Sequence, residues 1–187
     1  DVVVTSTNAR KIVDQFPKDA KLIFGPDRNL GGYINAVTGR NMLLWNGACH
    51  VHEQFSLEKL IELKAQYPEA KVLVHPECKK EIADLADVVG STQALLNYAV
   101  DGEFTQFLVC TESGILHEMQ KRCPEKEFIP VPPAGRACAN NECDYMRMNT
   151  LEKLYLCLRD EQPAIEVDEA IRERAVRPIH KMLEMSK

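Results

Sequence analysis

Two stretches of this chain, about 85 residues apart, repeat one pattern, and each repeat runs on to a cysteine. Asp1-Val2-Val3-Val4-Thr5-Ser6-Thr7-Asn8-Ala9 is echoed by Asp87-Val88-Val89-Gly90-Ser91-Thr92-Gln93-Ala94. Lys21-Leu22-Ile23-Phe24-Gly25-Pro26-Asp27-Arg28 is echoed by Gln106-Phe107-Leu108-Val109-Cys110-Thr111-Glu112-Ser113. The apolar run Met42-Leu43-Leu44-Trp45 leads to Cys49, and Phe128-Ile129-Pro130-Val131 leads to Cys138 and Cys143. Copies of one domain around a pseudo-symmetry axis can turn equivalent loops toward a shared site. A cysteine on each such loop suggests a shared metal, whereas two independent α/β units with incidental cysteines is the plainer alternative.

Short apolar runs alternate with helical patterns along the chain. Strands are expected over residues 2–5, 22–24, 42–45, 72–74, 88–89, 107–110 and 128–131. Helices are expected over 8–16, 30–37, 57–66, 79–86, 92–100, 115–122, 151–159 and 168–185, with Ser56 and Asn149 or Thr150 as caps and Gly39 as a stop. This alternation predicts an α/β fold of repeated, parallel-sheet, three-layer domains related by pseudo-symmetry. The expected division is residues 1–86, an N-terminally truncated repeat running into the start of the next, and residues 87–187, a second repeat plus a C-terminal helix.

In parallel sheets the carboxyl ends of the strands form the ligand-binding edge. Thr5, Ser6, Asp27, Cys49, His75, Glu77, Ser91, Thr92, Glu112 and Cys143 all follow expected strands. Cys49-His50-Val51-His52-Glu53 offers transition-metal ligands, but with no Cys-x2-Cys spacing; His52 and Glu53 serve equally well to anchor the next helix. Cys138 and Cys143 bound a second candidate loop, with Cys143 beside a resuming helix. His75-Pro76-Glu77-Cys78 places an imidazole and a carboxylate on a proline-stiffened turn, suited to acid–base work, to binding a polar substrate, or simply to a satisfied turn. Ser6 and the pair Ser91 and Thr92 open helices, where amides and hydroxyls hold carboxylate or phosphate, or merely cap.

Composition narrows the function classes. A net charge of −5 with dispersed Lys and Arg argues against a nucleic-acid surface. No apolar run approaches the ~20 residues of a membrane span, and no signal peptide opens the chain, so a cytoplasmic protein is expected. The abrupt buried-strand opening suggests a missing N-terminal portion. Seven cysteines, an odd number, argue for reduced thiols rather than a disulfide framework. Cys110 and Cys157 read as core, and Cys123 as structural or exposed.

The segments Thr5-Ser6-Thr7-Asn8-Ala9, Phe24-Gly25-Pro26-Asp27-Arg28-Asn29-Leu30-Gly31, Trp45 to Glu53, Val74 to Cys78, Ala86 to Thr92 and Cys143 to Glu152 together resemble quinolinate synthase, the iron–sulfur enzyme of NAD biosynthesis. The resemblance covers the last two-thirds of that family. It implies three homologous domains around a pseudo-threefold axis, of which two are present here, the first of these incomplete. It implies a central [4Fe–4S] cluster held by one cysteine from each domain, with Cys49 and Cys143 as two of the ligands and a redox or structural role for Cys138.

The implied reaction condenses iminoaspartate with dihydroxyacetone phosphate to quinolinate, losing phosphate and water. His75 and Glu77 would bind substrate and move protons, and Ser6, Ser91 and Thr92 would hold its anionic groups. An L-aspartate oxidase or dehydrogenase would supply iminoaspartate. This chain alone is expected to be inactive, since two cysteines hold a cubane poorly. The alternatives are a zinc-dependent α/β hydrolase or lyase using Cys49, His52 and Cys143, and a non-catalytic fragment that binds small anions.

Overall fold

The computed structural model describes residues 1–135 and 141–187. It divides into two compact units, one of residues 16–142 and one of residues 1–15 with 143–187. Cys138 lies outside the described residues.

The larger unit is built on two parallel sheets. β1 (Ile23–Phe24) pairs with β2 (Leu43–Leu44), Ile23 opposite Leu43 and Phe24 opposite Leu44. Between them runs α2 (Arg28–Thr38), capped by Asp27 and stopped by Gly39 in the left-handed region at φ 66°. The second sheet holds β3 (Lys71–Val74), β4 (Val88–Val89), β5 (Gln106–Cys110) and β6 (Glu127–Pro130), in the order β4-β3-β5-β6, all parallel. This sheet draws β3 from before residue 86 and the other three strands from after it.

Pleating sends alternate side chains to opposite faces and makes the four-stranded sheet the centre of three layers. Val72, Val74, Leu108 and Cys110 pack on one face with Leu60 of α3 (Leu57–Gln66) and Ile82 of α4 (Lys80–Ala83). Leu73, Phe107 and Val109 pack on the other with Leu95, Leu96 and Ala99 of α5 (Thr92–Asp101) and Met119 of α6 (Ile115–Arg122). Both faces are buried, so β3 and β5 read as continuous apolar runs. The side chain of Asp87 ties β3 to the turn before β4, accepting from the Val72 amide at 2.8 Å and from Lys71 Nζ at 3.0 Å.

The smaller unit brings α1 (Ala9–Val13) against α9 (Glu169–Met185). Val3 N–H donates to Pro178 O, Asn8 Nδ2 to Ser186 Oγ and Gln15 Nε2 to Met185 O. It also contains α7 (Asp144–Arg147) and α8 (Leu151–Asp160), the latter capped by Thr150 Oγ1.

Two expectations fail here. Residues 2–5 form no strand, because no described segment pairs with them. Cys157 is exposed rather than core: Leu151, Leu154, Tyr155 and Leu158 of α8 all face solvent as well. Cys110 is fully buried, and Cys123 is buried with its Sγ toward Ala99 O. The parallel α/β organisation is as the alternation of strands and helices indicated.

Candidate active site

The strand order fixes where a site can form in the larger unit. From β3 the chain moves to β4 on one side, and β5 continues to β6 on the other. The carboxyl ends of β3 and β5 therefore flank a switch point, where open α/β sheets bind ligands. His75 follows β3 and Thr111 follows β5, and both are buried. The His75 amide donates to Cys110 O at 3.0 Å, which locks the two strand ends together.

Onto this edge comes the loop after β2. Cys49, His52 and Glu77 each offer a ligand atom, and these atoms lie within 4.8 Å of one another. His52 sits in a single 3-10 turn, His52–Gln54. Its Nε2 is 3.2 Å from Thr111 Oγ1. Its Nδ1 is 3.2 Å from Glu77 Oε2, a charge-assisted contact between two buried or half-buried groups. The ring of His52 stacks on that of His75, centroids 4.3 Å apart.

Electrostatics separates the members of this group. Burial disfavours a charged His52, but hydrogen bonds and charge from Cys49 and Glu77 outweigh it and raise its pKa to about 9. Burial, then repulsion from His52, lowers His75 to about 4 despite the attraction of Glu77. A neutral His75 also suits its Nδ1, which accepts from the Glu77 amide at 3.4 Å. The hydrogen bond with His52 holds the Glu77 carboxyl below its ordinary value against the opposing effect of burial. Burial opposes a Cys49 thiolate, and the hydrogen bonds and charge of His52 overcome it, so the thiol pKa falls. At neutral pH the group holds a neutral imidazole, an imidazolium, a carboxylate and a thiol biased toward thiolate.

The start of α2 braces this group. Arg28 Nη2 donates to Glu53 Oε2 at 2.9 Å, and Asn29 Nδ2 donates to Glu53 Oε1 at 2.6 Å and to the Glu77 carbonyl at 3.0 Å. A cavity of about 350 Å³ lies beside α2 and α4, with Tyr33, Val37, Pro76, Cys78 and Val89 among its walls. Cys49, His52, His75 and Glu77 do not line it, and its walls are mainly apolar, so the strand-end group is the better candidate for chemistry.

The structure thus brings together Cys49, His75 and Glu77 of the expected site residues. Ser91 is buried and caps α5, its Oγ accepting from the Ala94 amide at 3.3 Å, and Thr92 is the first residue of that helix. Ser6 precedes α1 and Cys143 stands immediately before α7, both in the smaller unit. Sequence reading kept His52 as a helix anchor or a zinc ligand. The spacing Cys49-x-x-His52 was the available signal, but the contact with Glu77 is made only by the fold.

Residues 1–184 match the family described as quinolinate synthetase A protein. Over 186 residues the chain is 56% identical to a quinolinate synthase of Thermosynechococcus vestitus, and over 187 residues 54% identical to one of Chloroherpeton thalassium. A quinolinate synthase of Synechocystis sp. is 53% identical over 186 residues. Each match takes in 100% of this chain and 58% of the relative, so the chain spans somewhat less than the two-thirds expected. With a match over nearly its whole length, the chain belongs to the quinolinate synthetase A protein family.

Proposed function

We propose that this chain is part of a quinolinate synthase of NAD biosynthesis, which condenses iminoaspartate with dihydroxyacetone phosphate and releases phosphate and water. The observation that carries the reading is the convergence of Cys49, His52 and Glu77 at the switch point of a parallel sheet in a member of this family. An enzyme that oxidises L-aspartate, an oxidase or dehydrogenase, is the source of iminoaspartate in this reading, and the cytoplasm is its setting. No helix among the described residues is long and apolar enough to cross a membrane.

A [4Fe–4S] cluster fits the donor set. Cys49 is partly buried, its thiol is shifted toward the thiolate that ligation needs, and its sulfur lies within 4.8 Å of ligand atoms of His52 and Glu77. Cys49 and Cys143 would hold it. When bound, such a cluster supplies Lewis-acid chemistry at an iron without a protein ligand.

The chain's own groups divide the remaining work. His75, neutral and buried, holds or accepts a proton at its imidazole. Glu77, ionised, takes a proton at its carboxylate, and the cationic His52 keeps that carboxylate oriented and charged. Ser91 and Thr92 open α5, whose first-turn amides lack intrahelical partners and favour an anionic group of the substrate. Ser6 serves a second anionic group. Pseudo-symmetric duplication is supported by the shared order strand, helix, parallel strand in β1-α2-β2 and β5-α6-β6.

The test is anaerobic cluster reconstitution in the full-length enzyme, followed by assay of quinolinate from the two substrates. We expect product and a brown absorbance near roughly 400 nm that Cys49→Ser and Cys143→Ser each abolish. A colourless active protein carrying one zinc would overturn the cluster reading.

A further inference from the structure

We propose that Asp27 is a positioning residue for Cys49, holding the backbone of that cysteine so that its sulfur is presented at a fixed place. The proposal rests on the reading of Cys49 as a cluster ligand. Asp27 is 5% exposed. Its two carboxylate oxygens do different things. Oδ1 accepts from the amides of Asn29 and Leu30 at 2.6 and 3.0 Å, the ordinary work of a helix cap. Oδ2 turns away from α2 and accepts from the amide of Cys49 at 2.6 Å, across 22 residues of chain.

A cap needs only one oxygen, so the second bond is additional to the needs of α2. Other ties hold the same loop: Gly47 O accepts from Arg28 N–H, Cys49 O accepts from Glu53 N–H, and the amides of Val51 and His52 reach the sulfur itself. Cys49 is therefore pinned on both sides of its Cα, by a carboxylate on its N–H and by the 3-10 turn on its carbonyl. Bonds from backbone amides to a carboxylate are about twice as strong as those to a neutral acceptor. Ligand geometry of this kind depends on such outer groups as much as on the ligand itself.

Two variants separate capping from positioning. Asp27→Ser retains a good cap but has no second oxygen for the Cys49 amide. Asp27→Asn also retains a cap, and turns an NH2 group toward the Cys49 N–H, donor against donor. Backbone hydrogen exchange, read by mass spectrometry in the metal-free protein, should speed up roughly tenfold or more at Cys49 in both variants, the size of one charge-assisted hydrogen bond. Amides of Leu30 to Ile34 should exchange at the wild-type rate.

In the reconstituted enzyme both variants should lose the iron–sulfur absorbance to a chelator several times faster than wild type. Unchanged exchange at Cys49 alongside faster exchange in α2 makes Asp27 a cap alone and overturns the proposal. So does faster exchange at Cys49 with cluster loss at the wild-type rate. If Cys49→Ser keeps the absorbance, the cluster reading fails instead, and the exchange result still decides whether Asp27 tethers the loop.

Discussion

The imidazoles of His52 and His75 lie face to face, 4.3 Å between centroids and 20° between planes. Two stacked cations at that distance repel, so protonation of one opposes protonation of the other. The surroundings choose His52: Glu77 Oε2 is 3.2 Å from its Nδ1 and 3.9 Å from that of His75.

An acid-side loss of stability follows for the metal-free protein. His75 is lowered from 6.5 to about 4, so the unfolded chain binds the extra proton between those values and stability falls as pH drops through them. Above pH 6.5 the raised His52 keeps a proton that the unfolded chain lacks, while the lowered Cys49 thiol has released one that the unfolded chain keeps, so the two effects offset. Melting temperature should therefore fall as pH drops from 6.5 toward 4, and His75→Gln should flatten that limb; a midpoint unchanged over this range would refute the assignment.

Thiol reactivity should follow burial. Cys157 is exposed on α8, whereas Cys78 and Cys110 are buried and burial pushes both thiols far above their usual range. Iodoacetamide at neutral pH, with peptide mass spectrometry, should label Cys157 within minutes and leave Cys78 and Cys110 untouched until denaturant is added. Equal labelling of all three would contradict this packing.

Gly31 packs α2 tightly on the β1–β2 ribbon. A Cβ there would come within 2.6 Å of Leu44 Cδ2 and 2.9 Å of Phe24 Cδ1. Gly31→Ala should lose about 1–3 kcal/mol by overpacking, despite the better helix propensity of alanine. Chemical denaturation measures this directly. Gly32→Ala, where a Cβ meets nothing within 4 Å, is the matched control and should be neutral or stabilising.

Removing the Asp87 carboxylate should free the end of β3 from the turn before β4. Burial disfavours the ionised carboxyl, but the amide of Val72 and the ammonium of Lys71 outweigh it and hold its pKa below the ordinary 3.8. The stabilisation is thus present above 3.8 and lost as pH falls through the lower folded value. Asp87→Ala should cost about 1 kcal/mol at pH 7, and wild type and variant should converge in acid. A gap that persists in acid would point to packing rather than charge.

Much of the fold was legible because local chemistry and packing agree. The expected spans 57–66, 88–89 and 115–122 coincide with α3, β4 and α6. Ser56 and Thr150 announced their helices by composition, and both accept the predicted capping bond. The run Val2-Val3-Val4 misled because β-branched residues favour a strand only where another strand pairs with them. Cys157 misled because the stripe Leu151, Leu154, Leu158 has the spacing of a core face while that face meets solvent. In the site, His75 and Glu77 were visible from the stiff turn after a buried strand. The role of His52 was not, since its partners Glu77 and Thr111 lie 25 and 59 positions along the chain and come to it only through sheet order.

The β1–β2 ribbon carries its own consequence for handling. Ile23 and Leu43 sit side by side in register, 78% and 67% exposed, next to Trp45 at 68%. A two-stranded ribbon leaves both flanks with unpaired backbone groups, and here those flanks border a greasy strip. Concentrated preparations should therefore be prone to stick to themselves along this strip, and a lysine at position 43 is the simplest solubilising change.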